Sequence, residues 1–229
     1  MRKTTIIAHR GASGHVPENT LPAFQKAVDM GVDAVECDVR ICKSGQLVVF
    51  HDKRLKRITG ARGKVKRRKL AELRQLDAGD GEPIPTLKEV LELLDAKTAV
   101  NIEIKARKVS VPLAHLIRNA IRRGPWKPED LFVSSFYFRE LRRFHELYPE
   151  IPTALLYNKK PGGLKRRRKA LDAFAACLNA AHIRASWIRR VHDQGLKAYV
   201  WTVNDKGVAD QLRSEKADGF FTNYPERLM

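Results

Sequence analysis

The stretch Ala34-Val35-Glu36-Cys37-Asp38-Val39 decides the fold. Side chains alternate between the two faces of a strand. Glu36 and Asp38 therefore share one face, and Val35, Cys37 and Val39 the other. Asn101-Ile102-Glu103-Ile104-Lys105 repeats the arrangement, with two isoleucines opposite three polar side chains. A closed barrel gives each face a place: the apolar one meets a ring of helices and the other lines the interior. The pattern thus predicts that Glu36, Asp38, Asn101, Glu103 and Lys105 point inward.

Working outward, further strand-like runs are Thr5–Ala8, Leu47–Phe50, Leu131–Ser135, Thr153–Tyr157, Phe174–Leu178, Lys197–Val203 and Gly219–Thr222. Stretches with helical spacing lie between most of them. Thr20 opens a helix that Gly31 stops, and Thr86-Leu87-Lys88-Glu89 is a capping box ahead of Val90, Leu91 and Leu94. Arg139–Leu147, Ser186–Gln194 and Asp205–Ser214 are amphipathic as well. Leu47–Phe50 follows the turn Cys42-Lys43-Ser44-Gly45, so it forms a hairpin with the preceding strand or continues it as one bent strand. Counting that pair once leaves eight strands alternating with helices to the end of the chain. The prediction is an α/β fold, a (β/α)8 TIM barrel, with a doubly wound open sheet as the alternative. Residues 1–229 read as a single domain with no linker and no internal repeat. Residues 52–85 read as a loop-rich insertion after the second strand unit, set over one end of the barrel.

Buried charges must pair with one another, with a cation or with a bound anion. Glu36, Asp38 and Glu103 outnumber Lys105, and the surplus negative charge suits a divalent cation. All-oxygen donors favour a hard ion, Mg²⁺ or Ca²⁺, over zinc. The competing explanation is an ion network in which Lys105 neutralises Glu103. His9 and His51 each close a strand-like run. The carboxyl ends of barrel strands carry the chemistry of such enzymes, so the two histidines form a candidate acid/base pair. His15, His115, His145, His182 and His192 receive no role.

The 229 residues contain 44 Lys and Arg against 26 Asp and Glu, a net charge of +18 that favours anionic partners. Cys37, Cys42 and Cys177 are too few and too scattered for a disulfide framework or a CxxC zinc site, which points to a reducing, cytoplasmic setting. The N-terminus enters a strand-like run without a signal-peptide core, and no apolar stretch is long enough to cross a bilayer. Membrane insertion is therefore not expected. Arg62–Lys69 has six basic residues in eight, and Lys165–Lys169 has five in a row. No RNP-type aromatic run, zinc knuckle or helix-turn-helix signal accompanies them. They read as solvated surface charge rather than a nucleic-acid footprint.

The ordered set His9-Arg10-Gly11-Ala12, Pro17-Glu18-Asn19-Thr20, Glu36-Cys37-Asp38-Val39-Arg40, Lys43-Ser44-Gly45 and His51-Asp52 resembles the glycerophosphodiester phosphodiesterase family. The resemblance continues through Ile84–Leu87, Asn101–Lys105, Ser134–Phe136, Trp201–Asn204 and Thr222–Pro225, covering essentially the whole chain. It implies a TIM barrel that uses one divalent cation, Mg²⁺ first and Ca²⁺ or Mn²⁺ as alternatives. The implied substrate is a small glycerophosphodiester, cleaved to glycerol 3-phosphate and an alcohol. By the same resemblance Glu36, Asp38 and Glu103 hold the metal, His9 and His51 are catalytic, Arg10 and Lys105 flank the phosphate, and Trp201 lines the mouth. Attack by water and attack by the substrate's own glycerol hydroxyl are both compatible with it. Asn223 stands where the family commonly has Asp, a departure expected to affect only a peripheral contact. The expected assignment makes His51 the acid and His9 the base. Other readings are lysophospholipase D-like cleavage of single-chain lipids and a non-catalytic barrel that binds anions or nucleic acid.

Overall fold

The computed structural model describes residues 4–229. Nine strands form one sheet: β1 (Thr5–His9), β2 (Ala34–Ile41), β3 (Leu47–Val49), β4 (Ala99–Ile104), β5 (Leu131–Ser135), β6 (Thr153–Tyr157), β7 (Ala175–Asn179), β8 (Lys197–Trp201) and β9 (Gly219–Thr222). All but β3 are parallel, and β1 pairs with both β2 and β9, which closes the eight into a barrel. The chain folds as the predicted TIM barrel. β3 instead runs antiparallel to the far end of β2, with Val39 opposite Val49 and Ile41 opposite Leu47. The run from Ala34 to Val49 is therefore a hairpin with only its first strand in the barrel.

The helices are α1 (Leu21–Asp29), α2 (Lys56–Thr59), α3 (Leu70–Leu73), α4 (Leu87–Leu94), α5 (Ser110–Arg123), α6 (Phe138–Leu147), α7 (Leu164–Leu171), α8 (Ala185–His192) and α9 (Lys206–Ser214). β9 is followed by a 3-10 turn, Pro225–Arg227. Start signals act locally. Thr20 accepts the Ala23 amide at α1, and Thr86 and Glu89 cap α4 reciprocally. Gly31 ends the α1 turn at φ +74°, a conformation glycine adopts without a Cβ penalty. Leu87, Val90, Leu91 and Leu94 are then buried on one face of α4. Each contributes about 1.5–3 kcal/mol relative to exposure. The basic run Lys165–Lys169, read from sequence as surface charge, lies within α7, pinned by the buried Leu164 and Leu171.

Outward strand residues such as Val35, Cys37, Val39, Ile102 and Ile104 pack in the layer between barrel and helices. Inside the barrel Ile7, Ala34, Phe132, Ala175, Tyr199 and Phe221 make a separate apolar cluster. It fills the interior beneath the polar ends of the strands. Residues 52–85 carry three short helical turns, Lys56–Thr59, Val65–Arg67 and Leu70–Leu73, joined by loops. Leu55, Val65, Leu73 and Ile84 form an apolar centre with Cys42, Val48 and Phe50 of the hairpin.

Candidate active site

Ladder register assembles the site. His9 lies beside Glu36, Glu36 beside Asn101, and Asp38 beside Glu103. Parallel neighbours share a face, so these side chains converge at the carboxyl end of the barrel, as the alternation predicts. Glu36 and Asp38 are buried, and Glu103 is nearly so, at 13% side-chain exposure. Each carboxylate offers an oxygen within 4.8 Å of the other two. Lys105 follows β4 directly, its Nζ 2.8 Å from Glu103 Oε1 and 3.5 Å from Asp38 Oδ1. Part of the ion-network explanation is therefore correct. It fails at Glu36 Oε1, which is buried and has no hydrogen-bond partner. A buried carboxylate oxygen left this way is costly. Burial first, and the neighbouring negative charges second, raise the Glu36 carboxyl well above its usual range. Burial likewise raises Glu103 to about 7; Lys105 opposes this and Asp38 adds to it. Three oxygen donors, one of them unpartnered, fit a hard divalent cation.

The loop after β1 wraps this cluster. Arg10 has φ +61°, a strained value for a non-glycine residue, and its amide donates to Glu36 Oε2 at 2.9 Å. Gly11 follows at φ +77°, where a Cβ would lie 2.6 Å from the Ala23 backbone, so the tight approach to α1 requires glycine. The Arg10 guanidinium lies 3.2 Å from Asp38 Oδ2 and 2.8 Å from Glu18 Oε1. Asn19 donates to Asp38 Oδ2 at 2.9 Å and accepts the Asp38 amide at 3.2 Å. Lys105 and Arg10 beside it hold Asp38 below the usual carboxylate range against the effect of burial.

The two histidines reach the site by different routes. His9 closes β1, whereas His51 follows the antiparallel β3 and not the end of a barrel strand. Folding back of the hairpin brings it level with Asp38, whose carbonyl accepts the Phe50 amide at 2.8 Å. His9 Nδ1 lies 2.8 Å from Asn223 Oδ1. Asn223 is thus a direct partner of a site histidine, which corrects the expectation of a peripheral contact. Burial and the adjacent Arg10 lower His9 to about 4, so the ring is neutral at pH 7. His51 Nδ1 lies 2.6 Å from Asp52 Oδ1. Burial lowers His51, while Asp38 and Asp52 act in the opposite direction.

Several site residues had no role on sequence grounds. Arg57 donates to Asp52 at 2.7 Å and to Glu18 at 2.8 Å, continuing a chain from His51 to Arg10. Arg40 donates to the His51 carbonyl and, at 2.8 Å, to the Lys105 carbonyl, tying the hairpin to β4. Glu18, Asn19, Arg40 and Asp52 stood inside quoted motifs; Arg57 sits in the insertion and carried no local signal. The cavity above the carboxylates has a volume of about 340 Å³ and is lined by His9, Arg10, Glu36, His51, Glu103 and Lys105 on its polar side. Phe136, Leu156, Trp201 and Phe221 form an apolar wall. Trp201 meets Phe136 edge to face, with ring centroids 5.6 Å apart, and Lys105 Nζ lies 5.7 Å from the Phe136 centroid. Seven of the eight expected site residues therefore line one opening, and the eighth, Asp38, lies buried behind it against Arg10 and Lys105.

Comparison with known proteins agrees with this geometry. YhdW of Bacillus subtilis is 40% identical over 98% of this chain and 96% of its own length. A glycerophosphodiester phosphodiesterase of Caldanaerobacter subterraneus is 36% identical over 99% of this chain and 97% of its own. An Oleispira antarctica phosphodiesterase, solved with its product sn-glycerol-3-phosphate, superposes with a TM-score of 0.90 at 31% identity over 98% of this chain and 94% of that one. The model of the glycerophosphoryl diester phosphodiesterase family matches residues 9–227, and the chain belongs to that family as one of its enzymes.

Proposed function

We propose that this enzyme hydrolyses small glycerophosphodiesters to glycerol 3-phosphate and an alcohol, with Glu36, Asp38 and Glu103 holding one divalent cation, Mg²⁺ first and Ca²⁺ or Mn²⁺ as alternatives. The observation that carries the reading is the buried carboxylate trio, mutually within 4.8 Å and facing both histidines across one cavity. When bound, the cation offsets charge that develops on the phosphoryl oxygens. Arg10 and Lys105 supply fixed positive charge to the same oxygens from opposite sides, in a site with little water.

His9 is the base. Asn223 Oδ1 accepts from Nδ1–H, which leaves the Nε2 lone pair free, and the neutral partner does not favour an imidazolium. His51 is the acid, because the Asp52 carboxylate on its Nδ1 stabilises the protonated ring and holds it in orientation. His9 takes the proton of the attacking oxygen, water or the substrate's glycerol hydroxyl, and His51 gives its own proton to the departing alkoxide. Where the glycerol hydroxyl attacks, water then opens the cyclic phosphate to glycerol 3-phosphate, with His51 as base and His9 as acid. Phe136 and Trp201 form an apolar wall against which the glycerol or its leaving group packs. We read the barrel with residues 52–85 as one catalytic domain, the insertion supplying Asp52 and Arg57. The three buried, unpaired cysteines suit a reducing cytoplasm. Among the described residues no helix is long and apolar enough to cross a membrane.

Release of the phosphate monoester should be measured, glycerol 3-phosphate from glycerophosphocholine and glycerophosphoethanolamine and lysophosphatidate from lysophosphatidylcholine, with EDTA and with each cation added back. Turnover of the first two that EDTA abolishes and Mg²⁺ restores is expected. A preference for the lysolipid, with release of a lysophosphatidate, would instead establish lysophospholipase D-like cleavage. Full turnover after exhaustive chelation would remove the cation from the mechanism.

A further inference from the structure

Beside the mouth lies a second concavity, about 810 Å³, that the mechanism does not use. Lys159, Lys160, Arg184 and Arg190 line it with His182 and Trp187, and no carboxylate does. Loops after β6 and β7 carry most of these side chains, at the same end of the barrel as the active site. Between Ile151 and His192 the chain has ten Lys and Arg side chains against the single acid Asp172. Some surface cations elsewhere are paired, as in Arg68–Glu72, Lys88–Glu92 and Arg142–Glu146. Among the described residues the four groove cations have no ion pair. Like charges gathered without counter-charge repel one another, so an anion seated among them relieves a standing cost.

The groove and the active site share a lip. Asn158 lines the catalytic cavity, and the next residue, Lys159, lines the groove. Asn179 donates to Asn158 Oδ1 at 2.6 Å, and its own Oδ1 accepts the amide of Ala181, which also lines the groove. An alcohol leaving over Asn158 therefore departs on the side of the mouth that adjoins the basic concavity.

We propose that the groove is a leaving-group subsite for diesters whose alcohol carries a further phosphate, so that the preferred substrates are polyanionic glycerophosphodiesters. This rests on the hydrolytic activity proposed above and names its substrate class. Lys159, Lys160, Arg184 and Arg190 hold the terminal phosphate, while the scissile one sits between Arg10 and Lys105. The field is local to the mouth, and it raises the capture rate of such substrates more than their turnover.

The test compares glycerophosphoglycerol with the same diester bearing a terminal phosphate on its leaving glycerol. The wild type should show a kcat/KM about tenfold higher for the phosphorylated substrate at low salt, shrinking as ionic strength rises. The variant Lys159→Ala/Lys160→Ala/Arg184→Ala/Arg190→Ala should treat both alike and keep the wild-type kcat/KM for the unphosphorylated diester, which also reports its folding. A control with the same change in charge, Lys97→Ala/Arg122→Ala/Arg123→Ala/Lys127→Ala, alters exposed side chains at the opposite end of the barrel. It should retain the preference. Equal rates on both substrates in the wild type, or equal loss in the two variants, would overturn the subsite. Cosedimentation with phosphatidylglycerol vesicles, lost in the groove variant without any substrate preference, would assign the groove to an anionic membrane instead. Turnover of neither diester would strike the activity itself rather than the groove.

Discussion

At the scale of single residues, identity and partner together set the chemistry. Glu36→Gln removes a ligand charge but keeps the volume and the capacity to accept the Arg10 amide. Activity should fall by orders of magnitude while the far-UV circular dichroism and the unfolding transition stay close to wild type. An unaltered rate would show that the carboxylate is not a ligand. The histidines are separated by leaving-group quality, since general acid catalysis contributes about 10²–10⁴-fold only where the departing oxygen needs a proton. His51→Ala should cripple cleavage of glycerophosphocholine yet largely spare a p-nitrophenyl phosphodiester that fits the site. His9→Ala should damage both, because the nucleophile's proton must be removed either way. Rescue of His9→Ala by the activated substrate would reverse the two roles. Losses of only a few-fold in both variants would rule out the two-histidine mechanism.

At the scale of elements, α7 separates charge from packing. Its basic side chains cover a helix held by Leu164, 1% exposed, and Leu171, fully buried. Leu171→Ala should lower the unfolding free energy by about 2–5 kcal/mol, since the methyls leave a cavity. Neutralising Lys165–Lys169 should change it by less, about 0.5–1 kcal/mol from the loss of Arg167 over the Phe138 and Tyr157 rings, and leave turnover at saturating substrate intact. Urea denaturation of both variants measures the contrast; equal effects would mean that the charges are structural. Salt-sensitive DNA binding lost with the same five charges would mark a nucleic-acid partner instead. The hairpin and the insertion act together in another way. Arg57 holds Asp52 against His51 and Glu18 against Arg10, so two distant segments are locked around the opening.

Across the whole molecule, the proposed ligand set makes cation binding depend on pH and links it to stability. Glu36 and Glu103 have carboxyl pKa values raised above the value of about 4.3 expected in the unfolded chain. At these two groups the folded, cation-free protein holds more protons than the unfolded chain, so their contribution to stability falls as pH rises towards about 7, the folded value of Glu103; His9, lowered to about 4, acts in the opposite sense below pH 6.5. In the proposed mechanism a divalent cation binds the ionised trio and offsets that cost. Added Mg²⁺ should therefore raise Tm more at pH 8 than at pH 6, with proton release on binding near pH 6.5. Without cation, Glu103→Gln should gain stability relative to wild type at pH 8. Thermal scans with and without EDTA at the two pH values test this. A cation effect that shrinks with rising pH would contradict the ligand set.

Periodicity by itself determined the barrel and the inward direction of Glu36, Asp38, Asn101, Glu103 and Lys105. The alternation of strand side chains is a local rule, and a closed sheet converts it directly into inside and outside. Caps at Thr20 and Thr86 were legible for the same reason, since a capping hydroxyl acts within three residues of itself. The helix at Leu164–Leu171 was not, because its two anchors stand seven positions apart and the charges between them hide the spacing. Only the tertiary structure decided that His51 arrives on an antiparallel strand, that Arg57 reaches both Asp52 and Glu18, and that Asn223 meets His9 across 214 positions of chain. These contacts depend on barrel closure and hairpin geometry, which bring together residues whose pairing leaves no trace in local spacing. The basic groove belongs to the same class. Its charges were visible in the sequence, but their place beside the mouth follows from the order in which β6 and β7 enter the barrel.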